Sequence, residues 1–230
     1  QSGNIILSDS AINTTTTGGG GIFSSTSSTI KATNTTVDTL GDWSTGVSAN
    51  AAKVELIASP VITAGANSAG IYSGNAGQVT ATDSDITTSG EGSYALSVDQ
   101  GSISVTNATL KTGNAAGIFA TIGGDTYIQA GDVTLNTVTV DAAQSSILAQ
   151  DAMLNVTAKD TTFNSGTGLV LDVQADPADP STNSAVKLNA DNSILNGSLV
   201  SNSTQNTSNV LLSNNSILTG YSQNISSIEL

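Results

Sequence analysis

The 230-residue chain has no cysteine, no histidine and no arginine, and its five lysines are set against eighteen aspartates and glutamates. Each absence excludes something. Without Cys and His the usual zinc ligands are missing, and the disulfide framework of a small stapled secreted domain cannot form. Secretion of a large bacterial rod is still allowed, since a disulfide formed before outer-membrane passage would obstruct it. With a net charge of −13 and no cluster of basic residues, neither nucleic acid nor an anionic membrane surface is an expected partner. No apolar run approaches the ~20 residues that span a bilayer. The N-terminus lacks a charged-then-apolar signal pattern, so the chain reads as a mature or excised segment.

Aromatic residues are also scarce: one Trp, four Tyr and three Phe. That is too few for an ordinary globular core of this size, so a thin core of Val, Ile, Leu and Ala is expected. Charged residues make up 10% of the chain, which leaves solubility to hydroxyls and amides. Disordered chains share this polarity but are poor in β-branched residues, and here Val, Ile and Thr are abundant throughout. A folded all-β chain follows.

One template recurs: apolar, any, apolar, any, Asn or Asp, two more residues, then apolar. It reads Ile5, Leu7, Asp9, Ile12; Ile30, Ala32, Asn34, Val37; Val54, Leu56, Ala58, Val61; Val79, Ala81, Asp83, Ile86; and Ile103, Val105, Asn107, Leu110. It continues as Val133, Leu135, Thr137, Val140; Val156, Ala158, Asp160, Phe163; Val186, Leu188, Asp191, Ile194, with one extra residue allowed; and Val210, Leu212, Asn214, Ile217. The steps between copies are 25, 24, 25, 24, 30, 23, 30 and 24 residues. A small residue followed by an apolar one marks the other half of each period: Gly21-Ile22-Phe23, Gly46-Val47, Gly70-Ile71-Tyr72, Ser93-Tyr94, Gly117-Ile118-Phe119, Ser146-Ile147-Leu148, Gly168-Leu169-Val170, Ser198-Leu199 and Gly220-Tyr221.

Each period thus carries three short strand signals, and alternation at period two buries one face of each. A lone three-strand unit cannot cover its apolar side, whereas stacked units pair strand on strand and pile their inward side chains into columns. The expected fold is an all-β, right-handed, single-stranded parallel β-helix, one domain over residues 1–230. About nine rungs at roughly 4.8 Å give a rod on the order of 40 Å long. Asn and Asp tolerate the left-handed backbone that a sharp corner needs. Asp9, Asn34, Asp83, Asn107, Asp160, Asp191 and Asn214 are therefore expected as a structural corner column, with their amides hydrogen-bonded along the stack.

The two long steps locate insertions, Thr121 to Tyr127 and Asp172 to Ser181. The second holds Pro177 and Pro180 with three acids, which predicts an exposed, locally stiff loop. Such loops are either tolerated surface insertions or, as loops on rigid scaffolds often are, binding sites. The candidate binding residues are Asp172, Asp176 and Asp179, with Asp125 and Tyr127 on the earlier loop.

Catalysis is not expected. Polysaccharide lyases of this shape need a strong base beside a metal or carboxylate cluster, and there is no Arg while the five Lys fall at different template positions. Hydrolases need paired carboxylates on one face; Asp83 fits the corner column and Asp85 immediately precedes an inward Ile86. No cofactor or metal is expected, because the Gly-Gly-x-Gly-x-Asp unit of calcium β-rolls is missing, which leaves calcium conceivable only at the acidic loop. Thr runs such as Thr14 to Thr17 resemble those of ice-binding solenoids, but no single Thr column runs through all rungs. Asn-x-Ser/Thr triplets at Asn13, Asn107, Asn155, Asn202 and Asn206 are what this composition produces.

The period near 24, the Gly-apolar-aromatic strand, the Asx corner, the Ser/Thr/Asn/Gly bias and the missing Cys together resemble the passenger domain of bacterial autotransporter adhesins of the AIDA and pertactin-like type. The stretch from Asn214 to Leu230 is similar to the one preceding the autochaperone region in that family. The resemblance implies a secreted cell-surface adhesin rod, anchored at the outer membrane by a C-terminal barrel that this sequence does not include. It implies self-association with an identical passenger on a neighbouring cell, leading to aggregation and biofilm formation. Binding to host matrix proteins or glycans is the alternative, and polysaccharide degradation a distant third.

Overall fold

The computed structural model describes residues 3–121, 130–175, 183–203 and 205–230. They form a right-handed parallel β-helix. One turn shows the plan. Lys53–Ile57 lies on the first face, Ala58 turns the chain with φ of 48°, and Val61–Thr63 lies on the second face. Residues 64–70 then loop to Ile71–Gly74 on the third face, from which the chain returns to the first at Gln78–Thr82. The strands pair in parallel with their counterparts one turn away. A single column runs through Ile5, Ile30, Val54, Val79, Ile103, Val133, Val156, Leu188, Val210 and Ile228.

Alternation explains why these residues form these strands. Gln78–Thr82 points Val79 and Ala81 inward and its other three residues out. Stacked over many turns, the inward residues make continuous aliphatic columns. On the second face, Val37, Val61, Ile86, Leu110, Val140, Phe163 and Leu195 are all fully sequestered. Each such side chain contributes about 1.5–3 kcal/mol relative to exposure. Phe163 is the one aromatic buried in the core among the described residues.

Buried hydroxyls close the corners. Ser59 Oγ accepts the Thr35 N–H (3.0 Å) and Ser84 Oγ accepts the Ser59 N–H (2.9 Å), while both hydroxyls donate to carbonyls of their own turn, Ile57 and Thr82. Ser44, Ser68 and Ser93 form a second ladder, in which Ser68 and Ser93 accept the N–H of the preceding member at 2.9 and 3.0 Å. Backbone donors that would otherwise be buried without partners are satisfied in this way. Part of the Ser and Thr content is therefore internal structure and not surface.

In several turns the residue ahead of the third strand is held to glycine by packing. A Cβ at Gly46 would stand 2.4 Å from Val61 Cγ1 and 2.7 Å from the Gly70 carbonyl oxygen. Ala95, Ser146, Val170 and Ser198 take the equivalent place in other turns.

Several expected positions are corrected. The copy expected at Val186 begins at Leu188, which pairs with Val156 and Val210. The template Leu188, Ala190, Asn192, Leu195 then fits with no extra residue. A two-residue slip leaves the inward face unchanged, so Val186 is buried as well and alternation cannot reveal the error. The slip in the same copy becomes odd at the corner: Asn192 and not Asp191 takes the left-handed turn, and Leu195 is buried while Ile194 is exposed. In the last copy both Asn214 and Asn215 are left-handed, so Leu218 pairs with Leu195 and Ile217 points out. On the third face the inward residues are Leu96 instead of Tyr94 and Leu171 instead of Leu169, and in the last turn Ser222, not Tyr221, pairs with Leu199. Asp172, expected in a loop, lies in the strand Thr162–Gln174.

Candidate functional site

The most distinctive surface begins at the loops that lead into the third face. Gly18, Trp43, Asn67 and Gly92 hold the same left-handed position in successive turns, with φ of 72°, 58°, 53° and 64°. Gly and Asn adopt this conformation readily, whereas a bulky residue there costs about 1–2 kcal/mol. Trp43 recovers little of that by burial, since 67% of it is exposed. Left-handed backbone at an exposed aromatic makes Trp43 a candidate contact residue.

The outward row of the third face runs through Phe23, Ser48, Tyr72, Ser97, Phe119, Leu148, Asp172, Val200 and Gln223. Aromatic rings therefore stand at alternate turns, about 9.6 Å apart, with a serine between each pair. Phe23 is 64% exposed. The ring of Tyr94, which lies just ahead of its strand, stacks on Phe119 with centroids 4.2 Å apart and planes 15° from parallel. Trp43, Tyr72, Tyr94 and Phe119, together with Asn67 and Ser97, line a shallow concavity of about 280 Å³. It adjoins a polar one of about 480 Å³ lined by Asn67, Glu91, Tyr94, Asn114 and Gln144.

The electrostatics are one-sided. Burial raises the pKa of the Tyr72 phenol, with the nearby Asp99 charge adding to it, and burial alone raises that of Tyr94. Both hydroxyls stay protonated and able to donate at neutral pH. The lysines lie elsewhere: Lys31, Lys53, Lys159 and Lys187 belong to first-face strands and Lys111 to a second-face stretch. Lys31 pairs with Glu55 at 3.1 Å.

Of the expected binding residues, Asp172 falls on the aromatic row itself, two turns beyond Phe119. Burial raises its pKa, opposed in part by the Gln174 amide, which donates to Oδ2 at 2.8 Å. Asp125, Tyr127, Asp176 and Asp179 lie outside the described residues.

The corner column stands between the first and second faces, remote in the cross-section from the aromatic row. Asp9, Asn34, Asp83, Asn107, Asp160 and Asn214 have φ between 49° and 53°. Asn34 donates to Asp9 (3.1 Å), Asn107 to Asp83, and Asn192 to Asp160 (2.6 Å). Asp191, one residue before its corner, accepts from Asn214. Asp85 is also engaged structurally, accepting the Thr109 N–H at 2.7 Å. Among the described residues no three His, Cys, Asp or Glu side chains are placed to hold a metal ion.

Trp43 was not singled out by sequence reasoning, and Tyr94 was read only as the apolar member of the Ser93-Tyr94 strand signal. The signal was present for Trp43, since it shares a 25- and 24-residue spacing with Gly18, Asn67 and Gly92. No known protein family, curated protein or solved structure matches the chain.

Proposed function

We propose that this chain is an adhesive rod of a bacterial cell surface, non-catalytic, which holds its ligand along the aromatic third face. The observation that carries this reading is the inversion of aromatic placement. Among the described residues one aromatic, Phe163, lies in the core, while Phe23, Trp43, Tyr72, Tyr94 and Phe119 gather on one side of the rod. A cluster of exposed and partly exposed rings of this kind, bordered by polar groups, is what interaction sites present. A binding role fits the carboxylates better than hydrolysis does. The outward rows of the third face place Asp99 and Asp172 three turns apart, roughly 14 Å, beyond the separation at which glycosidase carboxylates cooperate. Tethering at the outer membrane, as the autotransporter resemblance implies, would present this face to the surroundings.

Self-association is the second reading, favoured by a different surface. The central outward row of the first face carries Thr80, Ser104, Thr134, Thr157 and Asn189, uncharged groups one turn apart that a second rod can meet with repeated weak hydrogen bonds. The test is display of the rod on non-adhesive cells. Retention on a ligand-coated surface or clumping is expected, and its loss in Trp43→Ala/Phe119→Ala assigns it to the third face. Clumping that survives that variant but fails in Thr134→Lys assigns it to rod–rod contact. Cells that neither clump nor adhere would overturn both.

A further inference from the structure

The aromatic row has a period as well as a composition. Rings recur every second turn, at Phe23, Tyr72 and Phe119, and the intervening turns carry the hydroxyls of Ser48 and Ser97. An extended β-linked polysaccharide has matching symmetry. Each sugar advances by nearly the spacing between turns, and every second sugar presents the same apolar ring face. We propose that the third face binds a neutral, extended, linear polysaccharide laid along the rod axis. Alternate pyranose rings rest on Phe23, Tyr72 and the Tyr94–Phe119 stack, and Trp43 flanks the chain in the concavity.

The groups around the row suit hydroxyl-rich, uncharged sugars. Asn67, Asn114 and Gln144 bring amide groups and Glu91 offers a strong acceptor, all in the concavity that shares Tyr94 with the aromatic one. The amides of Asn114 and Gln144 already donate one hydrogen to the Ser89 and Asn114 carbonyls and keep their oxygens as acceptors. The charge pattern selects against acidic glycans. The third face carries Asp99 and Asp172 and none of the five lysines, so a sulfated or uronate-rich chain would meet repulsion with no counter-ion to offset it. An aromatic ladder also makes binding multivalent, since each further pair of sugars adds a stacking contact without a new association event.

This inference rests on the adhesive reading of the third face, and its test separates the two. Trp43 is the sole tryptophan and lines the site, so its fluorescence reports occupancy. The purified chain is titrated with cellohexaose and chitohexaose, with their disaccharides, with maltohexaose as a curved neutral chain, and with a hexauronate. Saturable binding of at least one extended neutral hexaose is expected, at least tenfold tighter than its disaccharide and tighter than the other two chains. Tyr72→Ala and Phe119→Ala should each weaken it by about tenfold, the scale of losing a buried aromatic anchor. Thr139→Ala on the second face should not change it, and circular dichroism of all variants should match the parent. Absence of binding to both neutral hexaoses, equal affinity for di- and hexasaccharide, or preference for the hexauronate would each overturn the assignment. Adhesion of displayed cells that Phe119→Ala abolishes, without glycan binding, would overturn the polysaccharide and leave the adhesive face standing.

Discussion

Trp43 and Asn67 hold the same corner one turn apart, with φ of 58° and 53°, and the Trp43 N–H donates to the Ala66 carbonyl at 2.8 Å. The position imposes a left-handed backbone on whatever residue occupies it. Asn satisfies that demand at little cost and Trp does not.

It follows that Trp43→Asn should be at least as stable as the parent, by up to about 1 kcal/mol in urea unfolding, while losing retention on the ligand. Stability and function would then move in opposite directions at one residue. A clear fall in the unfolding midpoint would show that the indole is held for packing after all.

The narrow approach at Gly46 makes a different prediction. Gly46→Ala must displace the Val61 methyl or the Gly70 carbonyl oxygen and should cost about 1–3 kcal/mol by overpacking. Gly20→Ala, whose nearest contact would be 3.5 Å, serves as control and should be close to neutral. Equal midpoints for the two variants would contradict the packing account.

Asp172 gives a pH dependence. Burial raises its folded-state pKa above the ordinary carboxylate value, so the folded protein holds that proton more tightly than the unfolded chain does. This contribution is complete below the unfolded pKa of about 3.9 and is lost as pH rises through the folded value. Asp172→Asn should therefore gain thermal stability relative to the parent at neutral pH, with the gain shrinking as pH falls toward the carboxylate range. A difference that grows on acidification would reverse the assigned sign.

How much of this was legible in the sequence can be traced residue by residue. The columns from Ile5 to Val156 were readable because alternation and a nearly constant period act together, and a one-residue error would put apolar side chains in water. Where the sequence spacing lengthens, before Leu188, the period lapses and a two-residue slip goes unseen. The left-handed corner was readable at Asp9, Asn34 and Asp83 because those residue types suit it, but Asn215 adds a second left-handed residue that shifts Leu218 inward. Phe23, Tyr72 and Phe119 were visible as members of a repeated motif. Their grouping with Trp43 and Tyr94 was not, because Trp43 belongs to no strand signal and Tyr94, read into one, stands ahead of its strand where no alternation assigns a direction.

Sequence alone determined that apolar residues recur with a solenoid's period, that most corners fall at Asn or Asp, and that arginine and histidine are missing. These are local properties, set by side-chain type and backbone preference within one turn. Tertiary stacking decided which outward residues become neighbours, because residues 24 or 25 apart in the chain come to lie one strand spacing apart. It was that stacking which set Phe23, Tyr72 and Phe119 on one line, brought Tyr94 onto Phe119, and put every lysine on another face.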